Sequence, residues 1–167
     1  MPDSRLIAID PSLRATGFAV LETNGRLQTA LEYGVIRNHP TLRTSGCLVA
    51  IHERVRDLIA KWRPTAMAIE SIIYVQSYKT AIVLGAARGS AILAAAQAGL
   101  PIHEYPPKRV KQAVVGVGGA QKDQVAFMVR ALLRLTETPP SDAADALAIG
   151  LTHLQTGNLR SLPRETI

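Results

Sequence analysis

The sequence predicts an α/β fold in which a mixed five-stranded sheet is flanked by helices on both faces. Three observations support this prediction. Three apolar strands at the start of the chain form a meander, and later strands alternate with segments of helical periodicity. Two strands end in a carboxylate, at Asp10 and Glu70. Because groups at the carboxyl ends of strands line the usual site in α/β sheets, these acids also indicate where a functional site would lie.

The first third of the chain carries the meander. RLIAID, which closes on Asp10, is the first strand, and GFAVLE follows the turn PSLRAT as the second. The pair Asn24-Gly25 is the strongest short hairpin signal available, and LQTALEYGVIR then follows as the third strand. These elements predict an antiparallel half of the sheet.

Helices and strands alternate after the meander. Apolar residues recur at helical spacing from about Thr44 to Trp62, and Pro64 ends that helix. AMAIESI is a fourth, buried strand, and a long Ala-rich helix from about Thr80 to Ala98 precedes a fifth strand, PIHEY. Short helices are predicted on either side of the glycine-rich GVGGA, and the last long helix begins at Ser141.

Length and composition favour a single globular domain. The 167 residues, 47% of them hydrophobic and 19% charged, are enough to bury a full core. We expect one domain over 1–167, with 156–167 as a flexible C-terminal tail. The one cysteine, Cys47, excludes an internal disulfide and suits a reducing compartment. The segment MPDSRLIAID lacks the features of a signal peptide, and no membrane span is indicated, so we expect a cytoplasmic protein.

Basic residues are concentrated in one part of the chain. The net charge is +6, and between Pro106 and Arg134 Asp123 is the only acid. Clustered lysines and arginines favour a nucleic acid as partner, because phosphates attract them; a merely solvated face is the alternative. The cluster consists of Lys108, Arg109, Lys111, Lys122, Arg130 and Arg134.

Two further acids, Asp142 and Asp145, lie three residues apart at the start of the last helix and therefore share one face. Helix capping is one interpretation. The other is that they join Asp10 and Glu70 in one cluster, whose repulsion divalent cations such as Mg²⁺ or Mn²⁺ would relieve. Two such ions would activate a water and stabilise the leaving oxygen in phosphodiester hydrolysis.

The sequence resembles the RuvC family of bacterial Holliday-junction resolvases over nearly its whole length, from about Leu6 to Gln155. The last two of the matching stretches, in this order and at this separation, are highly specific for the family. The stretches are IDP at 9–11 with Thr16-Gly17, AIE at 68–70, LGAARG at 84–89, VKQAVVG at 110–116 and DAADALAI at 142–149.

The resemblance implies a ribonuclease-H-like fold and an Mg²⁺-dependent endonuclease that makes paired, symmetric nicks in four-way DNA junctions during recombination and repair. From the chemistry of the four acids we expect two metal ions per site, with Mn²⁺ able to substitute. The implied partners are junction DNA, a second copy of the chain in a homodimer and the RuvA–RuvB branch-migration complex.

Site residues follow from the resemblance by position. Asp10, Glu70, Asp142 and Asp145 stand where the family has its metal-binding acids, so capping becomes the minor interpretation. Lys111 matches a catalytic basic residue near the scissile phosphate, and Lys122 matches one on the DNA backbone. Further DNA contacts are expected from Tyr74, Tyr78, Lys79, Lys108 and Arg109. Gly85, Arg88 and Gly89 are expected at the dimer interface, with packing inside the chain as the alternative.

Two departures from the family pattern concern the surroundings of the acids. Ser12-Leu13 follows Asp10-Pro11 where the family usually has a glycine, which would ease an unusual backbone turn. Ile73 replaces an aromatic that the family often uses to probe the junction, and we expect Tyr74 to take that role by stacking on exposed bases.

Other functions remain open from the residues alone. A nuclease of the same fold that acts on structured RNA would use the same acids, and a junction-binding protein without catalysis would use the same basic cluster. An ATP-binding domain of the actin–Hsp70 type would need two such domains, which 167 residues do not supply. His153, eight residues after Asp145, is interpreted as a packing or solvent contact.

Overall fold

The computed structural model describes residues 4–72, 77–157 and 165–166. Within these residues a single sheet has the strand order β3-β2-β1-β4-β5-β6, and helices cover both of its faces, which confirms the predicted α/β class. Along the chain the elements are β1 (Ser4–Asp10), β2 (Ala15–Thr23), β3 (Gln28–Arg37), α1 (Thr44–Trp62), β4 (Ala66–Glu70), α2 (Tyr78–Gln97), β5 (Ile102–Tyr105), α3 (Pro107–Val115), α4 (Lys122–Leu133), α5 (Ser141–Gly157) and β6 (Glu165–Thr166).

The antiparallel half of the sheet is the predicted meander. β1 pairs with β2 from Ser4↔Thr23 to Asp10↔Gly17, and β2 pairs with β3 over their whole lengths with one irregularity. The hairpin between β2 and β3 turns at Asn24-Gly25. The Asn24 Oδ1 atom accepts hydrogen bonds from the Arg26 and Leu27 amides, and Gly25 adopts a φ of +89°. This left-handed conformation is easily reached by glycine, which explains the residue pair at the turn.

The parallel half of the sheet sets the position of the two strand-end acids. β1 runs parallel to β4 with Ile9 beside Ile69, and β4 runs parallel to β5 with Glu70 beside Tyr105. The carboxyl ends of β1 and β4 therefore meet at the same edge of the sheet. Asp10 and Glu70 are the last residues of these strands.

Alternation along β1 divides the core between the two faces of the sheet. Leu6 and Ala8 contribute to a core formed with α3, α4 and α5, whereas Ile7 and Ile9 contribute to one formed with α1 and α2. All four side chains are at most 1% exposed. The strand that delivers Asp10 is thus held rigidly from both sides.

Helix α5 lies unusually close to the sheet. A Cβ atom at Gly17 of β2 would lie 1.9 Å from the Asp142 carbonyl oxygen, and one at Gly150 of α5 would lie 2.1 Å from Leu21 Cδ1. Real Cβ atoms do not approach a backbone atom this closely, so Gly17 requires glycine, whereas at Gly150 the nearest atom is the end of the flexible Leu21 side chain. Because Gly17 pairs with Asp10, the contact places the start of α5 beside the end of β1.

The C-terminal segment, whose flexibility from residue 156 stays a prediction, contributes two described elements. Helix α5 continues through Thr156 to Gly157, and Glu165–Thr166 forms a short sixth strand that pairs antiparallel with β5. Without this pairing β5 would be an edge strand with a row of free backbone groups, which a short extended segment can satisfy.

Helix α2 is apolar and largely uncovered. Among the described residues it is the helix whose length and mean hydropathy of 1.3 would suffice for a membrane span. It packs on α1 and on the sheet through the buried Ala87, Ala91, Ala94 and Ala95. Its outer face exposes Ile82 and Leu93.

Candidate active site

Asp10 and Glu70 reach the edge of the sheet from the ends of adjacent parallel strands. The residues before them, Ile9 and Ile69, are fully buried, so each acid stands at the border of the core and is only partly exposed. Carboxylates in such positions keep little of their hydration. The predicted convergence of these two acids is what the sheet register produces.

The turn after Asp10 has no need of the glycine that the family usually carries there. The fully buried Thr16 hydroxyl donates a hydrogen bond to the Ser12 carbonyl and accepts one from the Ser12 amide at 3.2 Å. None of the described residues with a positive φ lies in this turn. Thr16 therefore closes the turn after Asp10 without a left-handed residue at Ser12 or Leu13.

Helix α5 brings the second pair of acids to the same edge. Asp142 lies in its first turn, over Gly17, and Asp145 follows on the same face. The absence of a side chain at Gly17 is what allows the Asp142 backbone to rest against β2. Sequence spacing places these two acids on one face, but the contact with β2 decides which face is directed at Asp10.

A pocket of about 270 Å³ collects the candidate catalytic groups. The Lys122 ammonium group donates a hydrogen bond to Asp145 Oδ2 at 3.1 Å. Asp142 does not line this pocket, but its charge acts on both Asp10 and Lys122. The structure thus brings together three of the four predicted acids and two of the four predicted lysines, Lys111 and Lys122. The pocket is lined by Asp10, Glu70, Pro107, Val110, Lys111, Lys122, Val125 and Asp145.

Burial and mutual repulsion perturb the acids of this pocket. Desolvation, followed by the charges of Glu70 and Asp145, raises the pKa of Asp10 to about 8. Desolvation and the charge of Asp145 raise the pKa of Glu70 to about 6. The hydrogen bond to Asp145 raises the pKa of Lys122. The pocket is therefore a desolvated concentration of negative charge in which a cation is stabilised.

The donor atoms in the pocket fit a hard divalent cation. They are carboxylate oxygens, which Mg²⁺ and Mn²⁺ prefer, and neither thiol nor imidazole lines the pocket. Among the described residues, no three acidic, histidine or cysteine side chains already surround one point as a complete ligand set. In this arrangement the negative charge of Asp145 is compensated by the Lys122 ammonium group.

A second cavity, of about 440 Å³, adjoins the acid pocket and shares Glu70 and Pro107 with it. Apart from Glu70 and Lys108, sequence reasoning did not identify its residues. Pro107 had a recognisable signal, since proline is favoured at the first position of a helix, and it begins α3. The cavity is lined by Pro11, Glu70, Ser71, Ile72, Leu84, Pro107 and Lys108.

The other described residues that were predicted to contact DNA do not line either cavity. Tyr78 and Lys79 are exposed at the start of α2, where the Ser77 hydroxyl caps the helix by accepting from the Thr80 amide. The Arg109 guanidinium lies over the Tyr105 ring at 5.5 Å and is only partly exposed. Tyr74 and its neighbour Ile73 lie outside the described residues.

The three residues expected at a dimer interface separate into two groups. Cβ atoms built on Gly85 and Gly89 would meet nothing within 4 Å, so these positions face open space and not the sheet. The Arg88 side chain is directed inward and forms an ion pair with Glu104 of β5. His153 packs within the chain, with Nδ1 2.9 Å from the Tyr105 hydroxyl.

Comparisons with known proteins agree on one family. The family model described as crossover junction endodeoxyribonuclease RuvC matches residues 6–153. A protein of that name from Akkermansia muciniphila is 60% identical over 150 residues, covering 90% of each chain. Another from Cronobacter sakazakii is 45% identical over 150 residues, covering 90% of this chain and 86% of its own.

Solved structures give the same result. Thermus thermophilus RuvC in complex with Holliday junction substrate superposes with a TM-score of 0.91 at 34% identity, covering 98% of this chain and 99% of its own. The yeast mitochondrial Holliday junction resolvase Ydc2 gives a TM-score of 0.62 at 11% identity, covering 91% and 79%. The second likeness concerns the fold alone.

Proposed function

The chain belongs to the RuvC family of crossover junction endodeoxyribonucleases, and we propose that it cleaves DNA in the pocket formed by Asp10, Glu70 and Asp145. As a member of this family it is a Holliday-junction resolvase and a metal-dependent nuclease. The observation that carries the proposal is the burial of these acids in one pocket with Lys111 and Lys122. Such a set is unfavourable on its own and becomes favourable when it holds cations.

The proposed ligands of the cations are Asp10, Glu70, Asp142 and Asp145. We propose Mg²⁺ as the physiological ion, two ions per site, and Mn²⁺ as a substitute. When bound, such ions activate a water and stabilise the leaving oxygen of a phosphodiester. The carboxylates hold and orient them, which requires Asp10 and Glu70 to lose the protons that burial favours.

The two lysines of the pocket act on the phosphate. In the described arrangement the Lys122 ammonium group is bound to Asp145. Entry of a cation would compensate Asp145 and leave Lys122 able to pair with a DNA phosphate at the pocket mouth. Lys111 lies on the wall formed by α3, and its proposed role is to stabilise the charge that develops on the scissile phosphate.

The junction is proposed to lie across the exposed basic and aromatic groups around the pocket. Lys108 borders the adjoining cavity, and Tyr78 and Lys79 are exposed at the start of α2. Arg109, which is partly exposed, is proposed as a further DNA contact. We keep Tyr74 as the residue proposed to stack on unpaired bases at the crossover.

The assembly is proposed to be a homodimer formed through α2. Ile82, Gly85, Gly89 and Leu93 recur at helical spacing on its exposed face, and Ile82 is 72% exposed. Two copies of the pocket would then act on two strands and produce paired nicks. The RuvA–RuvB branch-migration complex is the proposed partner, and the cytoplasm the proposed location.

The test is incubation of the protein with a synthetic four-way junction and with linear duplex of the same sequence, each with Mg²⁺ and with a chelator. We expect paired, symmetric nicks in the junction only, and only with Mg²⁺. Binding to the junction without any nick would contradict the proposed active site and would indicate a junction-binding protein without catalysis. Cleavage of structured RNA in preference to the junction would indicate the other nuclease function.

A further inference from the structure

Arg88 and Glu104 form a shielded ion pair behind the acid pocket. Arg88 extends from α2 toward the sheet, and its guanidinium pairs with the Glu104 carboxylate of β5. Their side chains are only 16% and 20% exposed. Neither lines the acid pocket, and the proposed cleavage chemistry makes no use of them.

The same guanidinium also contacts the backbone of a proposed metal ligand. Arg88 Nε donates to the carbonyl oxygen of Glu70 at 3.5 Å. The pairing of β4 with β1 ends one residue earlier, at Ile69, so Glu70 has registered strand pairing only on the β5 side. On that side Glu104 is the partner of Ile69, immediately next to it. Arg88 and Glu104 thus brace the last residue of β4 at the point where the sheet supports it least.

Stability alone does not account for an ion pair in this place. Removing two charges from water costs about as much as their attraction returns, and a well-packed apolar pair is often as stable. Desolvation lowers the pKa of Arg88, which indicates that this cost is present here. What an apolar pair would lack is a directional donor for the Glu70 carbonyl.

We propose that Arg88 is a positioning residue for cleavage. It fixes the Glu70 backbone so that the Glu70 carboxylate is directed at the metal site, and Glu104 holds the Arg88 guanidinium in the orientation that this requires. Residues that orient a metal ligand commonly change metal affinity tenfold or more when they are removed. The inference rests on the proposed function of Glu70 as a metal ligand.

The experiment measures two Mg²⁺ concentrations: the one that gives half-maximal cleavage of a saturating four-way junction, and the one that gives half of the Mg²⁺-induced rise in melting temperature of the free protein. For Arg88→Gln we expect both concentrations to rise about tenfold, with junction binding in chelator unchanged. Glu104→Gln should act in the same direction, and the double variant should be no worse than Arg88→Gln, because the two residues act as one unit. Arg88→Lys should restore part of the loss, since it keeps a donor and a charge.

A matched control is Arg54→Gln. Arg54 also forms a partly shielded ion pair between a helix and the sheet, with Glu32 at 2.7 Å, but it lies outside the cavities that hold the acids. Its removal should leave the Mg²⁺ requirement at the wild-type value. Oligomeric state and melting temperature are measured for every variant, so that a general loss of structure is recognised.

The outcomes separate the inference from the function on which it rests. An unchanged Mg²⁺ requirement in Arg88→Gln, or the same shift in Arg54→Gln, would overturn the positioning role. If Arg88→Gln does not fold, Glu104→Gln and Arg88→Lys decide the question by the same measurement. Cleavage by Glu70→Gln at the wild-type rate would overturn the proposed site itself.

Discussion

At the scale of single residues, the acid pocket combines what the sequence predicts with what only packing creates. The strand-end positions of Asp10 and Glu70 and the spacing of Asp142 and Asp145 are visible in the sequence. Two features are not. The raised pKa values of Asp10 and Glu70 depend on burial, and the bond from Lys122 to Asp145 depends on how α4 packs against α5.

Asp145→Asn should abolish cleavage and leave junction binding intact. The amide keeps the shape of the side chain but loses the charge proposed to hold a metal ion, while the exposed basic residues are unchanged. Without metal the fold should be at least as stable as the wild type, because the loss of the bond to Lys122 is offset by less repulsion on Asp10 and Glu70. Melting with and without Mg²⁺ checks this, since the wild type should gain more from the metal. Cleavage at a comparable rate would contradict the assignment.

The pKa of Asp10 predicts an unusual dependence of stability on pH in the absence of metal. Its folded value of about 8 lies above the ordinary 3.8, so the folded state holds a proton that the unfolded state releases. The free energy of unfolding should therefore fall as the pH rises from about 4 to 8, by an amount on the order of a few kcal/mol. For Asp10→Asn the free energy of unfolding should change less over this pH range, and at pH 8 it should be higher than that of the wild type. Urea unfolding in chelator at pH 6 and pH 8.5 measures how far the free energy of unfolding falls between these two pH values. An equal fall in the wild type and in Asp10→Asn would exclude the effect.

Lys111→Ala and Lys122→Ala should differ in their response to salt. The family pattern puts Lys111 near the cut and Lys122 on the DNA backbone, whereas the structure brings both to the acid pocket. We therefore expect both substitutions to slow cleavage. Lys122→Ala alone should also weaken binding and reduce its salt dependence by about one unit of slope. Rates at saturating junction and titrations across salt concentrations test this, and identical results for the two variants would remove the distinction.

At the scale of elements, the order of strands and helices follows from periodicity and turn residues, but their close contacts do not. Helix α1 occupies its predicted range from Thr44 to Trp62, and the chain leaves it through Arg63 at a φ of 49° before Pro64. In contrast, the sequence does not indicate that Gly17 lies under Asp142. Whether a strand residue must be glycine depends on which helix packs over it, and only the folded structure shows this. β6 was also missed, because two residues are too few to show a period.

Gly17→Ala should damage both the fold and the site. The new methyl group would lie 1.9 Å from the Asp142 carbonyl oxygen, so the start of α5 must move away from β2. Overpacking of this kind costs about 1–3 kcal/mol, and the shift would carry Asp142 away from Asp10. Chemical denaturation and junction cleavage measure the two effects. Gly119→Ala is the control, because its methyl group would meet nothing within 4 Å. A Gly17→Ala protein as stable and active as this control would show that α5 can move freely.

At the scale of the whole molecule, no described element covers the apolar outer face of α2. The sequence shows the glycines of α2 but not the direction they face, because small residues suit a helix face that packs on the sheet as well as one that is exposed. The structure shows the direction. Ala87 and Ala91 face the core, and Gly85 and Gly89 are exposed together with Ile82 and Leu93. This arrangement supports the proposed dimer and makes it testable at one position.

Ile82→Glu should convert the proposed dimer to a monomer. Ile82 is 72% exposed on the chain alone, so a glutamate there is tolerated by the monomer but would place two like charges in a symmetric interface. Sedimentation gives the mass, and the junction assay should show single nicks where the wild type makes paired ones. The control is Phe127→Glu, which replaces another apolar residue, 65% exposed on α4, and should leave the mass unchanged. If Ile82→Glu remains dimeric and still makes paired nicks, the two protomers associate through a different surface.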